Sequence, residues 1–422
     1  MYTREGRRNQ GRSWSGSWRP TRVIHYRADM SDGRDRRTIV RDLLALAASR
    51  ALGDMRRWSL PLAAYAPTSM LEIPARSVTA ARRPAVDIHA HLGTWLTRTH
   101  RWAARDVDAL VAAMDEANVA AIVNLDGRWD RELQANIDRY EGRYPTRFRT
   151  FCHLDWSLLS SDRPTERLVA QLRRSAAAGA AGVKVWKDLG LRVRDDSRRL
   201  VQLDDARLAD VWDVAGELGL PVLVHTADPV AFWRPVDRRN ERFEELAHMP
   251  EWRWGSRRVP SHGQLIATFE RMLAGHRQTT FIGAHVANYV ENLAVVGRLL
   301  DDHPNLVVDV AARQAELGRQ PYTARAFLLK YHDRVLWGTD SIGFDAGRYR
   351  TWFRLLETAD EAFAYSDDRS PNQGRWFIYG LDLPSDVLDE IYASNALRLL
   401  PSLMDSVRSE TGRGTGPRLS SA

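Results

Sequence analysis

The sequence contains a single cysteine, Cys152, and lacks any long apolar run. One thiol cannot form a disulfide within the chain, and zinc sites built on several cysteines are excluded as well. No stretch reaches the roughly 18 to 20 apolar residues that a membrane-spanning helix needs. A Gly-x-Gly-x-x-Gly motif after a strand, typical of dinucleotide-binding folds, is also missing. We therefore expect a cytoplasmic protein that does not associate with membranes.

The positive charge of the chain is concentrated at its start. The net charge of +7 comes from 61 Lys and Arg against 54 Asp and Glu, yet residues 1–41 alone hold 11 Arg and 4 acidic residues. The rest of the 422-residue chain is therefore balanced. A nucleic-acid-binding domain would carry its positive charge on the folded part, so we expect no nucleic-acid partner. The hydrophobic content of 44% predicts a large folded core.

Four segments divide the chain. Residues 1–37 are rich in Arg, Gly and Ser, which predicts a disordered basic leader, shorter if translation starts at Met30. A twin-arginine export signal at Arg36-Arg37 is the alternative, but Arg41 and Asp42 interrupt the apolar region that it needs. For residues 38–83 we expect a helix and an extended linker that pack on the next domain. We expect that domain to span residues 84–402, and residues 403–422 to form a flexible tail.

From residue 86 onward, helical patterns alternate with short runs rich in Val, Ile and Ala. Strict alternation of strand and helix implies parallel strands with helical crossovers, and eight strands predict an α/β fold of the (β/α)8 TIM barrel type. A doubly wound open sheet is the alternative. The predicted strands are Val86–His91, Val119–Leu125, Arg147–Leu154, Gly182–Trp186, Pro221–His225, Thr279–His285, Leu306–Ala311 and Val335–Asp340, and the clearest helices are Val107–Ala117, Arg131–Tyr140, Glu166–Ala178 and Ala206–Leu218.

Polar residues gather at the carboxyl ends of the predicted strands, where barrel enzymes place their active sites. The first strand ends in His89 and His91, which lie on the same side because side chains alternate along a strand, so that the pair can hold one ion. Each such residue alone is also typical of a structural histidine or a helix-capping carboxylate. The other strand-end residues are Lys184, His225, His285 and Asp340.

Five motifs in this order resemble the amidohydrolase superfamily, in particular the amidohydrolase-related branch that also contains metal-dependent non-oxidative decarboxylases. The resemblance spans about residues 86–400 and identifies the superfamily, not the substrate. The motifs are Asp87-Ile88-His89-Ala90-His91, Val222-Leu223-Val224-His225-Thr226, Phe281-Ile282-Gly283-Ala284-His285, Trp337-Gly338-Thr339-Asp340 and Ile391-Tyr392-Ala393-Ser394-Asn395-Ala396.

The resemblance implies a divalent metal bound by His89, His91, His225 and Asp340. Nitrogen and oxygen ligands favour zinc, with manganese, iron or cobalt as alternatives, and one ion is expected rather than two. In this interpretation a metal-activated water attacks the substrate, and Asp340 takes and returns its proton. His285 would polarise the substrate carbonyl or stabilise the oxyanion.

Lys184 has two predicted functional roles. In binuclear members of the superfamily a lysine at the end of the fourth strand is carbamylated and bridges two metals, and Lys184 lies near that position, with Lys187 as a competitor. Alternatively, Lys184 is a cation that pairs with a substrate carboxylate. A structural role is the third interpretation.

The remaining substrate contacts are predicted from the segments that follow the strands. We expect the segment Asp228–Pro260, an insertion after the fifth strand with many aromatic and Arg residues, to be a lid, an oligomer contact or a self-packed insertion. After the seventh strand, Arg313 and Glu316 are placed to contact substrate or to pair with each other. The predicted substrate-binding residues are Lys184, Trp186, Trp233, Arg239, Arg313 and Asn288.

The sequence therefore predicts a metal-dependent enzyme acting on a small molecule that is aromatic or anionic. A hydrolase that cleaves an amide, lactone or related bond is the first hypothesis. A non-oxidative decarboxylase of an aromatic or unsaturated acid is the second, because the same ligands serve both. A non-catalytic binding barrel is the third, and retention of all four ligands argues against it. A homo-oligomer remains open.

Overall fold

A computed structural model describes residues 36–57, 68–255, 257–366, 373–405 and 407. The chain divides into two units, Met1–Glu72 and Ile73–Ala422. The first contains helix α1 (Arg36–Arg57), which begins two residues before the segment 38–83 for which the sequence predicts a helix and a linker. The second contains the predicted barrel. The predicted leader up to residue 35 and the tail from residue 408 lie outside the described residues.

The described part of the second unit contains one large parallel sheet whose strand order follows the chain. Each predicted strand is present, shortened at one or both ends or extended by one residue. The strands are β1 (Ala85–His91), β2 (Val119–Asn124), β3 (Phe148–Cys152), β4 (Gly182–Val185), β5 (Val222–Val224), β6 (Phe281–Gly283), β7 (Leu306–Asp309), β8 (Val335–Leu336) and β9 (Ser341–Ile342), and a separate antiparallel hairpin is formed by β10 (Phe363–Ala364) and β11 (Phe377–Ile378).

The sheet closes into a barrel between its last and first strands. The amide of Ile88 on β1 donates to the carbonyl of Trp337, directly after β8, at 3.1 Å. Strand β9 continues β8 after a short break and pairs with the end of β1, where Ala90 faces Ser341. Neighbouring strands follow the chain without a reversal of order, so the fold is the (β/α)8 TIM barrel, and the open doubly wound sheet is excluded.

Helices cover the outside of the barrel, and several begin at a capping side chain. Ser261 and Gln264 form a capping box at the start of α8, and Asp106 caps α2. The described helices are too short or too polar to cross a lipid bilayer. They are α2 (Val107–Glu116), α3 (Asp130–Tyr140), α4 (Pro164–Ala177), α5 (Asp188–Leu191), α6 (Ala209–Glu217), α7 (Phe243–His248), α8 (His262–Gly275), α9 (Ala284–Ala287), α10 (Leu293–Asp302), α11 (Gln314–Arg319), α12 (Pro321–Lys330), α13 (Ala346–Glu357), α14 (Ser385–Asp389) and α15 (Asn395–Leu399).

An irregularity in β1 turns the side chains of His89 and His91 toward the interior of the barrel. Val86 and Ile88 belong to the apolar cluster that fills the barrel. Strict alternation would therefore place Ala90 in the interior next. Instead the pairing with β2 shifts between Asp87 and Ala90, and Ala90 packs in the outer cluster under the helices. Such a bulge re-aims side chains, and here it leaves both histidines facing inward.

Asp87 ties β1 to the segment that follows β8. Its fully buried carboxylate accepts hydrogen bonds from the amides of His89 (3.0 Å) and Thr339 (3.1 Å), the hydroxyl of Thr339 (2.7 Å) and the hydroxyl of Tyr349. Burial raises the pKa of Asp87, although these four donors act in the opposite direction. The carboxylate thus fixes the barrel seam directly beside His89.

Replacing Asp87 with Ala should destabilise the barrel by about 2–4 kcal/mol, because several buried donors lose their acceptor at once. Urea unfolding followed by circular dichroism measures this change. Asp213→Ala is the matched control, since the Asp213 side chain is 56% exposed and pairs with His276 at the surface. Equal stability of the Asp87 and Asp213 variants would contradict the role of Asp87 in the seam.

Candidate metal centre

The carboxyl ends of the strands open into a cavity of about 270 Å³. His91, His225, His285 and Asp340 line it, and His89 lies directly behind them, fully buried. The imidazole rings are close together, with centroids 5.6 Å apart for His89 and His91 and 4.5 Å apart for His225 and His285. The structure therefore brings the five predicted centre residues into one cluster.

Two buried carboxylates orient the histidines of β1. The Nδ1 of His89 donates to Asp309 at 2.8 Å, and the Nδ1 of His91 donates to Asp126 at 2.6 Å. Because each Nδ1 is occupied as a donor, Nε2 is the nitrogen of each ring that can bind an ion once it has lost its proton. This arrangement of carboxylate and histidine is the one that positions metal-binding imidazoles in proteins.

Asp340 faces both Nε2 atoms. Its Oδ1 lies 3.1 Å from Nε2 of His91 and 3.4 Å from Nε2 of His89, and its side chain is 28% exposed toward the cavity. Burial acts to raise the pKa of Asp340, but the hydrogen bonds with His89 and His91 and the charge of His89 dominate and hold it well below its ordinary value. The carboxylate is therefore ionised at neutral pH. In turn, against the effect of burial, Asp126 and Asp340 raise the pKa of His91 to about 9.

His225 and His285 complete the cluster as neutral rings. Neither ring nitrogen of His225 has a hydrogen-bond partner among the described residues, and its Nε2 is 3.6 Å from Asp228. Burial lowers the pKa of His225 to about 3. Burial, together with the nearby His225 and Arg313, holds the pKa of His285 well below its ordinary value. The Nδ1 of His285 donates to the carbonyl of Ala311 at 2.8 Å, which leaves its Nε2 as an acceptor.

The short segment α9, which carries His285, is a left-handed turn and not a regular α-helix. Four consecutive residues, from His285 to Asn288, have positive φ angles of 56°, 59°, 50° and 59°. L-residues rarely adopt this left-handed conformation, and it costs roughly 1–2 kcal/mol per residue. The amide of His285 donates to Asp309 at 2.8 Å, so the carboxylate that orients His89 also fixes this turn. Backbone strain of this kind is often found at functional sites.

The cluster fits a divalent cation. His89, His285 and Asp340 each offer one ligand atom, and these three atoms lie within 4.8 Å of one another. The unpartnered nitrogens of buried His225 provide a further donor that nothing in the described chain satisfies. Nitrogen donors with a carboxylate are a ligand set for zinc and other first-row metals, and the carboxylates behind the histidines add the negative charge that favours a cation.

Lys184 lies against the centre from β4. Its side chain is 1% exposed, and its Nζ is 3.2 Å from Nε2 of His89. Burial lowers the pKa of Lys184 to about 8, although Asp340 and Asp309 act in the opposite direction. This position suits both predicted roles of Lys184, a carbamylated ligand that bridges two metals and a cation that pairs with a substrate carboxylate. Both roles stay predictions.

Six of the cavity-lining residues come from the segment after β5. Asp228 accepts from Nζ of Lys187 at 2.6 Å and from Nε1 of Trp254 at 2.8 Å. Arg242 is completely buried and donates to Glu245 at 2.8 Å and to Glu316. The lining residues of the segment are Asp228, Pro229, Phe232, Arg242, Glu245 and Trp252. The segment also packs around a small apolar cluster of its own, centred on Leu246 and Trp254.

The predicted substrate contacts divide into two groups. Trp186 and Arg313 line the cavity, whereas Lys184, Trp233, Arg239 and Asn288 are not among its lining residues in the described chain. Trp233 donates to the carbonyl of Pro260 and packs inside the segment, Arg239 is exposed, and the side chain of Asn288 donates toward the carbonyl of Val224. Their roles as substrate contacts stay predictions. The alternative pairing of Arg313 with Glu316 is not observed, and Arg242 pairs with Glu316 instead.

Sequence reasoning missed several functional residues. Asp126 and Asp309 stand at the ends of β2 and β7, where the rule that found the histidines would also have found them. Arg242, Asp228 and Trp252 had no comparable signal, because their places depend on how the segment after β5 folds back over the cavity.

These features define a (β/α)8-barrel protein with a centre of histidines and a carboxylate at the carboxyl ends of its strands. The chain belongs to the amidohydrolase family, whose sequence profile matches residues 86–402. Members of this superfamily are metal-dependent enzymes that include hydrolases, decarboxylases and a hydratase. No curated protein matches the sequence.

Several solved structures resemble the barrel. The 2,6-dihydroxybenzoate decarboxylase from Rhizobium has 14% identity and a TM-score of 0.50, covering 76% of this chain and 99% of that one. A dihydroxybenzoic acid decarboxylase from Polaromonas sp. JS666, with bound manganese and the inhibitor 2-nitroresorcinol, has 14% identity and a TM-score of 0.51, covering 76% and 97%. The 4-oxalomesaconate hydratase from Rhodopseudomonas palustris has 13% identity and a TM-score of 0.42, covering 78% and 99%. At 14% identity the likeness to the two decarboxylases shows the fold and not the reaction.

Replacing Arg242 with Met should destabilise the protein by about 3–5 kcal/mol near pH 7, because it leaves buried Glu316 without its cation. Burial alone would raise the pKa of Glu316, but Arg242 and Arg313 lower it below 4.5. The stability that the pair contributes is therefore present above about pH 4.5 and is lost as the pH falls further. Urea unfolding at pH 7 and pH 4 measures both effects.

The control for this prediction is Arg298→Met, which removes an exposed ion pair with Glu270 and should cost at most about 1 kcal/mol. A loss for Arg242→Met that is as small as the control, or that grows at low pH, would contradict the prediction.

His225→Ala should lose bound metal, whereas His285→Ala should retain metal and lose activity, because all four predicted ligands remain in the second variant. Elemental analysis of the purified variants measures the metal content per chain. His248→Ala is the control, since His248 is exposed and its Nδ1 contacts only the carbonyl of Glu244 among the described residues. Full metal content in His225→Ala would refute the assignment of His225 as a ligand.

Proposed function

We propose that this chain is a metal-dependent hydrolase that cleaves an amide, lactone or related bond of a small organic substrate through attack of water on a carbonyl carbon. His89, His91, His225 and Asp340 would hold the ion, with zinc as the first candidate and one ion rather than two. When bound, the ion would supply the Lewis acidity that activates water and polarises the carbonyl.

The observation that carries this proposal is the position of Asp340. Its carboxylate is ionised at neutral pH and is the acidic group that stands between the β1 histidines and the cavity. It can therefore accept a proton from water and return that proton to the leaving group. The backbone of Asp340 is fixed by its amide, which donates to the carbonyl of His89 at 2.7 Å, and it has a φ of 59°.

His285 has a different role in this proposal from the one that its sequence position predicts. An oxyanion donor needs an N–H directed at the substrate, but the contact of its Nδ1 with Ala311 leaves Nε2 unprotonated in the neutral ring. We therefore assign to His285 the acceptance of a proton or hydrogen bond from the substrate. Its ring nitrogen lies within 4.8 Å of the ligand atoms of His89 and Asp340, which supports this role.

A metal-dependent non-oxidative decarboxylase of an aromatic acid is the second candidate. The indole of Trp186 has its centroid 5.7 Å from the ring of His91 and 5.4 Å from the ring of His225, so a flat substrate lying on it would reach the centre. Two structures with a TM-score of at least 0.50 are dihydroxybenzoate decarboxylases, which is consistent with such a substrate.

Isotope labelling distinguishes the two reactions. The metal-loaded protein would be incubated in H₂¹⁸O with a panel of aryl amides, aryl lactones and hydroxybenzoates, and the products would be identified by mass spectrometry. Hydrolysis places one ¹⁸O in the acid product at each turnover, whereas decarboxylation gives a product lighter by one CO₂. We expect the label in the acid product, and CO₂ release alone would replace the first candidate by the second.

Asp340→Asn should reduce turnover at least about 100-fold, because the amide cannot accept the proton. Initial rates, with metal content measured on the same sample, test this expectation. Asp345→Asn is the matched control, because Asp345 caps α13 at the surface and Asn is an equally good cap. Turnover in Asp340→Asn comparable to that of the control would refute the proposed role of Asp340.

A further inference from the structure

The carboxylate of Asp126 accepts a second short hydrogen bond besides that of His91. The indole Nε1 of Trp95 donates to Oδ1 of Asp126 at 2.6 Å, and the Nδ1 of His91 donates to the same oxygen at 2.6 Å. The amide of Gly93 donates to the other oxygen, Oδ2, at 3.0 Å. Both carboxylate oxygens are therefore held by β1 and by the turn that follows it.

The turn after β1 is built around this carboxylate. A Cβ atom on Gly93 would lie 2.5 Å from Cβ of Asp126, so only glycine allows the two segments to approach so closely. The amide of Leu92 donates to the side chain of Asn124 on β2 at 3.0 Å, which fixes the start of the turn. The close approach brings Trp95, two residues after Gly93, within hydrogen-bond distance of Asp126.

The ring of Trp95 is held by its neighbours, so the direction of its N–H is fixed. Its centroid lies 5.2 Å from that of Trp186 and 5.4 Å from that of His153, both in edge contacts. The guanidinium of Arg128 lies 5.3 Å from the Trp95 ring centroid. Trp186 lines the cavity, whereas Trp95 stands behind it and is not among the lining residues of the described chain.

We propose that Trp95 is a positioning residue of the metal centre, whose indole N–H fixes the carboxylate of Asp126 and thereby the ring of His91. The inference deepens the proposed function and rests on its metal centre. A carboxylate that is bonded to one histidine alone can rotate with it, but a second donor on the same oxygen restricts this rotation. Outer partners of this kind typically change metal affinity about 10- to 100-fold.

The acceptor of Trp95 distinguishes it from a tryptophan with a purely structural bond. Fully buried Trp212, on helix α6, donates from Nε1 to the backbone carbonyl of Leu203 at 3.0 Å. Trp95 instead directs its N–H to a carboxylate that already orients a predicted metal ligand. A hydrogen bond to a carboxylate is stronger than one to a neutral carbonyl, so its loss should be felt by His91.

Trp95→Phe tests the inference, because it keeps an aromatic ring against Trp186 and deletes the N–H. The full chain would be freed of metal, and its zinc affinity would be measured by competition with a coloured chelator. We expect zinc binding to weaken at least about tenfold. The visible absorption bands of the cobalt-substituted protein should also change in position or intensity, because they report the arrangement of the ligands around the ion.

Trp212→Phe is the matched control, since it deletes an indole hydrogen bond of similar length outside the centre. Its zinc affinity and cobalt spectrum should equal those of wild type, even if urea unfolding shows a loss of stability. A change in both variants alike would assign the effect to general destabilisation and overturn the inference.

A double-mutant cycle with Asp126→Ala tests whether Trp95 acts through Asp126. Once the carboxylate is absent, adding Trp95→Phe should change zinc affinity by no more than about twofold. Effects of the two substitutions that multiply fully would overturn the inference. If Asp126→Ala does not fold, the comparison of Trp95→Phe with Trp212→Phe decides alone, and a zinc affinity of Trp95→Phe within about twofold of wild type overturns the inference.

Metal binding needs no turnover, so the two proposals fail separately. Zinc binding that depends on Trp95 in a protein without hydrolytic activity would refute the proposed reaction alone. Hydrolytic activity together with equal zinc affinity of wild type and Trp95→Phe would refute this inference alone. A wild-type protein that binds neither zinc nor cobalt would refute both.

Discussion

The centre depends on the hydrogen bonds by which Asp126 and Asp309 hold the imidazoles of β1. Each carboxylate takes one Nδ1 proton, and this decides which nitrogen of each ring is left to bind an ion. Asp309 does more, because it also accepts from the amides of His285 and Ala311. One buried carboxylate therefore links β1, β6 and β7, and the geometry of the whole centre follows from the closure of the barrel around it.

The cavity combines two kinds of electrostatic design. On the side of the centre, carboxylates surround the histidines. Their negative charge favours the binding of a cation. On the side of the segment after β5, buried ion pairs such as Arg242 with Glu316 cancel their charges locally. Burying such an ion pair costs desolvation energy. The pair fixes the positions of its side chains and contributes no net charge to the cavity.

Most of the fold and the core of the site could be predicted from sequence, because both rest on local patterns. The meeting of strand ends placed His89, His91 and Asp340 together, and only the irregularity in β1, which turns both histidines inward, could not be seen in the sequence pattern. The segment after β5 could not be treated in this way. Arg239 and Arg242 lie three residues apart in the same Arg-rich stretch, yet the first is exposed and the second is completely buried. The difference in burial between the two arginines arises from the way the segment folds around the apolar cluster of Leu246 and Trp254.

The left-handed turn from His285 to Asn288 bears on the order in which the protein is assembled. Its backbone is unfavourable alone and is held by Asp309, which follows it by more than twenty residues in the chain. A nascent chain that ends before β7 already contains all the histidines of the centre, but it lacks the group that shapes two of them. The centre is therefore complete only when the chain has been synthesised beyond β7, because Asp309 must be present to shape it.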